Sequence, residues 1–310
     1  MQRAVAAALI TVMAGAVFAP AALAACEGRI VATHIMGEPV CVPAHPQRIV
    51  TLDPLLSLGM LRELGVPFVG VPMLGIQDQE IRGEVETQNV VDLGHPLQPD
   101  LERIAGLNPD LIIGASYLHG QSLGNIARIA PTLLIEHIDW KEHLRLVARI
   151  TGKSAEADEI IGTYETRAAA IRARVPNLRV SVVRISPTGF QVYLDGPAAY
   201  GPYAVLREAG VRRTDYEVTA DTTIVKRPDW EELAALDGDV LLYVPVNGYD
   251  PAQDDALEVA TVANPFWQML PAVSAGRAHR VGRGPWMGFA GATSAHKVLD
   301  DIERYVLPTP

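Results

Sequence analysis

Pro99-Asp100-Leu101-Glu102-Arg103-Ile104-Ala105-Gly106-Leu107-Asn108-Pro109-Asp110-Leu111-Ile112-Ile113 returns later in the chain, without a gap, as Pro228-Asp229-Trp230-Glu231-Glu232-Leu233-Ala234-Ala235-Leu236-Asp237-Gly238-Asp239-Val240-Leu241-Leu242. Each copy reads as a helix started by proline, a tight turn and a buried strand. Helix-turn-strand units occur throughout α/β proteins, so the form alone decides little. Shared Pro, Asp, Glu, Ala, Leu and Asp at matching positions make duplication the better explanation. Two similar lobes follow, and the cleft between such lobes is a natural place for a ligand.

Outward from the first copy, short apolar runs alternate with helical patterns. Strands are expected at Arg48–Leu52, Phe68–Val71, Asn89–Leu93, Asp110–Ala115 and Thr132–Glu136, with amphipathic stretches such as Leu55–Leu64 and Leu101–Leu107 between them. A second series runs through Arg179–Ser186, Asp239–Val246 and Arg277–Val281. Such alternation indicates parallel sheets. Between the series, Ala157, Ile160, Ile161, Tyr164, Ala168, Ile171 and Val175 keep a three/four spacing, which predicts one helix over Ser154–Val175, stopped by Pro176. At 1.5 Å per residue it would span roughly 33 Å, a stiff strut that allows only modest lobe closure. The expected fold is α/β: two Rossmann-like lobes with parallel sheets, joined by a single long backbone helix. The expected division is a signal peptide at 1–24, a first lobe at 25–152 opening on an N-terminal hairpin (Arg29–His34 with Pro39–Val42), the connecting helix at 153–176 and a second lobe at 177–310.

The signal peptide is read from Arg3, the apolar stretch Ala4 to Phe18 and the small-x-small site Ala22-Leu23-Ala24. That stretch falls short of the roughly 20 residues that span a bilayer, and Pro20 ends it, so export is expected rather than anchoring. The net charge of −10 argues against nucleic acid, which needs clustered Lys and Arg. It does not forbid a basic group inside a cleft. The two cysteines, Cys26 and Cys41, read as one disulfide of an oxidising compartment. Leu23-Ala24-Ala25-Cys26 also reads as a lipobox, in which Cys26 would carry a lipid anchor and leave Cys41 unpaired. The disulfide is the stronger expectation, because an odd exported cysteine is unusual.

Ligands of open α/β lobes gather at the carboxyl ends of strands. In the first lobe this exposes Asp53 to Leu55, His95, Tyr117 and His119; in the second, Arg184, Ser186, Tyr193, Tyr200, Tyr203, Tyr243 and Trp286. Each tyrosine alone is more simply read as core packing, and Trp230 and Trp267 as core or interface. The eight histidines are scattered without the converging set that zinc or manganese requires, so no metal site is expected. An exported α/β enzyme is the rival class. It would want a Gly-x-Ser-x-Gly elbow, a phosphate loop or a nucleotide fingerprint, and the chain has none of them. No catalytic activity is expected.

Pro46-Gln47-Arg48-Ile49-Val50, the Pro99–Ile113 segment, Val182-Val183-Arg184, Asn264-Pro265-Phe266-Trp267-Gln268-Met269-Leu270 and Ala275-Gly276-Arg277-Ala278-His279-Arg280-Val281 together resemble one family. It is the helical-backbone class of substrate-binding proteins that serve iron-siderophore, haem and cobalamin importers, and within it the ferric dicitrate-type proteins. The resemblance covers essentially the mature chain. It implies a monomeric periplasmic protein without an intrinsic cofactor, which carries iron as a ferric siderophore to the inner-membrane permease of an ABC transporter. Haem or cobalamin is the alternative cargo. The resemblance also implies that Glu102 and Glu231, one per lobe, dock onto arginines of the permease; Glu232 beside Glu231 leaves that assignment open by one position. The residues themselves show only carboxylates on helix first turns, where negative charge is favoured. A ferric siderophore is commonly anionic and carries planar or apolar arms, so its pocket needs guanidinium groups and aromatic faces. Arg184, Tyr193, Tyr200 and Trp286 meet that need, with His95, Tyr117 and His119 opposite; family position favours Arg184 and Trp286.

Overall fold

The computed structural model describes residues 26–307. The expected signal peptide at 1–24 lies outside the described residues. The chain begins with a hairpin, β1 (Arg29–Val31) against β2 (Val40–Val42), and a disulfide joins Cys26 to Cys41 beside it. The first sheet takes β3 (Ile49–Thr51), β4 (Gly70–Val71) and β5 (Val91–Asp92), then β8 (Leu111–Ala115) and β9 (Thr132–Ile135), after a small hairpin of β6 (Gly94–His95) and β7 (Gln98–Pro99). Its order is β5-β4-β3-β8-β9 and every pairing is parallel. Helices α1 (Leu56–Glu63), α2 (Gln79–Glu86) and α3 (Leu101–Gly106) connect these strands.

Two helices lead out of the first lobe: α4 (Trp140–Thr151), closed by the left-handed Gly152, and α5 (Ser154–Arg172). The latter is the expected strut, three residues shorter than its apolar spacing suggested. Beyond Arg172 the Arg174 N–H bonds back three residues to Ile171, a tightened turn before Pro176. The second sheet comprises β10 (Val180–Ser186), β11 (Gly189–Tyr193), β12 (Val225–Lys226), β13 (Val240–Pro245) and β14 (Ala278–Arg280), in the order β12-β11-β10-β13-β14. Here β10, β13 and β14 run parallel, while β11 and β12 are added antiparallel. Helices α6 (Gly201–Glu208), α7 (Asp254–Val262), α8 (Arg283–Met287) and α9 (Ala292–Tyr305) complete this lobe.

The duplication holds in three dimensions. Leu111 and Val240, equivalent in the repeat, both open their strands, and both pair parallel with the strand that opens their lobe: Leu111 with Ile49, Val240 with Val180. Asp110 accepts the backbone N–H groups of Gln47 and Arg48 at 2.7 and 3.0 Å; Asp239 accepts that of Arg179 at 2.8 Å. Each arginine then turns back onto the repeat's tight turn, Arg48 onto the carbonyls of Leu107 and Asn108, Arg179 onto Asp237. At the head of each copy, Asp100 or Asp229 caps the next backbone N–H groups. The second copy differs in tightening to a 3-10 turn over Glu232–Ala235 where the first builds α3.

One buried apolar cluster runs through both lobes, from Val42 and Ile49 through Trp140, Tyr164 and Phe289 to Val182 and Leu242. The sheets therefore do not hang from α5 alone.

Candidate functional site

In each sheet the strand order reverses beside the founding strand, β3 in one and β10 in the other, and the crevice outside the carboxyl ends of such strands is where ligands bind. Two adjoining cavities open there and share Tyr117. The first, ≈ 320 Å³, lies between Pro54, Gln77, Leu97 and Tyr117 of the first lobe and Arg184, Val246, Tyr249 and Met287 of the second. The second, ≈ 280 Å³, is lined by Asp53, Tyr117, Glu136, His143, Tyr193 and Tyr200 among others.

Arg184 lies late in β10, half-buried, with Gln191 as its cross-strand neighbour. Its Nη1 donates to Gln191 Oε1 at 3.1 Å, its Nε has no hydrogen-bond partner, and no carboxylate pairs with it among the described residues. A guanidinium left in that condition is costly unless something brought to it accepts its donors. Opposite, Tyr117 follows the end of β8 and stands 62 % exposed in the cleft.

The aromatic wall is layered. The Tyr193 ring lies 5.6 Å from that of Tyr200 and stacks at 5.3 Å on Tyr203, which is itself fully buried. Behind Tyr203 sits the Arg213 guanidinium, 5.1 Å from the ring centre and ion-paired to Glu217 with both side chains buried. Tyr200 is fixed at its tip: its hydroxyl donates to the Met287 carbonyl and accepts from the Phe289 N–H. Burial, with Asp53 adding to it, drives the Tyr200 phenol above its ordinary value, so it stays protonated.

The other expected residues are distributed differently. His95 stands at the cleft mouth, where its ring meets Tyr249 of the other lobe edge-on at 5.9 Å and its Nδ1 accepts the Leu97 N–H. His119 is buried: Nε2 bonds the Pro96 carbonyl at 2.9 Å and Nδ1 faces the Ala115 backbone, so the ring pins the Pro96 loop to the end of β8. Trp286 is 0 % exposed, with its indole N–H donated to Asp301 at 2.7 Å and its ring against Tyr203. The structure thus brings Arg184, Tyr117, Tyr193 and Tyr200 together, leaves His95 at the rim and packs His119 and Trp286 into the protein behind.

Tyr249 and Glu136 were not singled out from sequence. Tyr249 follows the left-handed Gly248 just past the end of β13, and an aromatic after a glycine turn at a carboxyl strand end was a readable signal. Glu136 had been absorbed into a strand pattern that ends one residue earlier, at Ile135.

Glu102 and Glu231 are both exposed, and neither enters an ion pair among the described residues. Glu232, by contrast, reaches back to the Asp229 N–H in a capping box.

The "Probable siderophore-binding lipoprotein YfiY" of Bacillus subtilis is 28% identical over 293 residues, covering 89% of this chain and 87% of that one. The "Achromobactin-binding periplasmic protein" of Dickeya dadantii is 25% identical over 274 residues, 84% of this chain and 86% of that one. Among solved structures, Staphylococcus aureus SirA complexed with staphyloferrin B superposes with a TM-score of 0.76 at 21% identity, over 89% of this chain and 98% of that one. FeuA of B. subtilis complexed with ferri-bacillibactin gives 0.75 at 18% identity, over 90% and 98%. The profile of the periplasmic binding proteins matches residues 55–281, from the head of α1 past the last strand of the second sheet, and the chain belongs to that family.

Proposed function

We propose that this protein is the exported capture component of an ABC importer, taking a ferric siderophore into the cleft between its lobes and delivering it to the inner-membrane permease. The observation that carries the reading is Arg184, a half-buried guanidinium with no carboxylate partner, facing a cleft walled by tyrosines. That pairing suits planar or apolar chelating arms whose oxygens need donors. Iron reaching this cleft would arrive already chelated. Among the described residues no group of three or more His, Cys, Asp or Glu stands placed to hold a bare ion. Relatives and structural neighbours whose names carry siderophores or ferric citrate support the same class of cargo.

In this reading Arg184, Tyr117, Tyr193 and Tyr200 contact the cargo and His95 with Tyr249 closes the mouth. The lobes divide at 25–152 and 177–310 around the connecting segment 153–176, which holds α5. The protein works as a monomer in the periplasm, and Cys26, engaged by Cys41, is not lipidated. Glu102 and Glu231 dock onto the permease, Glu231 rather than Glu232 because the latter is engaged in its capping box. The double substitution Glu102→Ala with Glu231→Ala is expected to keep cargo affinity and abolish uptake; normal uptake would remove the docking role.

Native mass spectrometry of the exported protein against ferric siderophores, haem and cobalamin tests the function. One equivalent of a ferric siderophore retained, with its iron-free form lost, is the expected result. Retention of haem or cobalamin instead would refute the reading.

A further inference from the structure

The two halves of the cleft differ in charge. Arg184 is the one Lys or Arg lining either cavity among the described residues. Arg283 borders the first cavity through the Gly248 carbonyl and Gln77, but Asp254 already supplies its counter-charge at 3.0 Å. The second cavity carries two carboxylates. Asp53 is 1 % exposed and accepts the N–H groups of Leu55 and Ser57, one on each oxygen, which leaves acceptor capacity on both. Glu136 is exposed at the rim. Neither has a cationic partner within ion-pair range among the described residues. A buried carboxylate is normally paired, and this one stands without a counter-ion in a cavity walled by Tyr117, Tyr193 and Tyr200. Phenol faces beside carboxylates make an environment that attracts an ammonium group through the ring quadrupole and direct charge together.

Resting on the transport reading above, we infer that the cargo is a ferric chelate whose iron-binding core carries little or no net negative charge and which bears a protonated amine. Its chelate oxygens meet Arg184, and its ammonium enters the tyrosine-lined cavity against Asp53 and Glu136. A ferric tris-catecholate, a compact trianion, meets the opposite conditions: one unpaired cation, two carboxylates and a protein of net charge −10.

The test is a fluorescence titration of the mature protein with three probes. These are a ferric linear trihydroxamate with a free terminal amine, the same complex N-acetylated, and a ferric tris-catecholate. The amine form is expected to bind about tenfold tighter than its acetylated twin, with the trianion weakest. Glu136→Gln should close most of the gap between the first two. Asp53→Asn should do the same; because Asp53 also holds the head of α1, the exposed Glu136 and the acetylated probe carry the test if that variant does not fold. Equal affinity for amine and acetylated forms, or strongest binding of the trianion, would overturn this inference and leave the transport reading standing. Binding of none of the three would overturn this inference, and the transport reading with it only if the mass-spectrometric panel also retains no ferric siderophore.

Discussion

His143 shows what burial does to a single side chain here. It is almost fully enclosed beneath the second cavity, its Nε2 3.1 Å from the Ser57 hydroxyl. Burial lowers its pKa from 6.5 to about 4, against an opposing pull from Asp53. Because the folded value lies below the unfolded one, the unfolded chain binds the extra proton as pH falls from about 6.5 towards 4, and stability drops across that window. Between pH 7 and 5 the loss from this residue alone is about 2 kcal/mol. Urea unfolding at both pH values should show a smaller drop for His143→Gln than for wild type; equal drops would place the imidazole in contact with solvent. His119 and Trp286 make the complementary point. From sequence both stood at carboxyl strand ends, where ligand contacts are expected. What decides their place is a partner distant in the chain, Pro96 for the one and Asp301 for the other. Spacing along a sequence does not reveal such pairings.

At the scale of elements the repeat is the part most legible in advance. The eight strands expected in the two series all exist, trimmed at their ends by one to three residues. The antiparallel β11 was not foreseen, although Gly189-Phe190-Gln191-Val192-Tyr193 alternates half-buried and buried positions as a strand does. The expectation of parallel pairing hid it. This matters for the site, since β11 supplies both the Gln191 that meets Arg184 and Tyr193 of the aromatic wall. The equivalence of the two copies has an energetic consequence. Asp110 and Asp239 are both half-buried and both clamp the residue just before the neighbouring strand. Asp110→Ala and Asp239→Ala should each cost about 1–2 kcal/mol by leaving those N–H groups unmatched. Equilibrium unfolding would count against the equivalence if one substitution were neutral and the other severe.

The whole molecule is held at more places than the connecting helix. Arg167 and Arg174 tie α5 to Asp300 and Glu303 of α9. Glu63 of the first lobe caps the head of α9 by accepting from Ala292 and Thr293, and Lys297 reaches Asp78 and Glu80. Close approach along this seam depends on absent side chains: a Cβ on Gly59 would run into the Ala290 carbonyl, and one on Gly284 would lie 2.7 Å from an Asp78 oxygen. Packed interfaces of this kind shift little, so only modest closure is expected on binding. In the proposed reading the binding energy falls on the few groups that face the cleft, Arg184 first among them. Calorimetric titration of wild type and Arg184→Ala with the ferric siderophore retained in mass spectrometry measures this directly. One site per chain and a loss of about 1.5–3 kcal/mol in the variant, more than tenfold in affinity, are expected. Unchanged affinity in a folded Arg184→Ala would show that the cargo binds elsewhere.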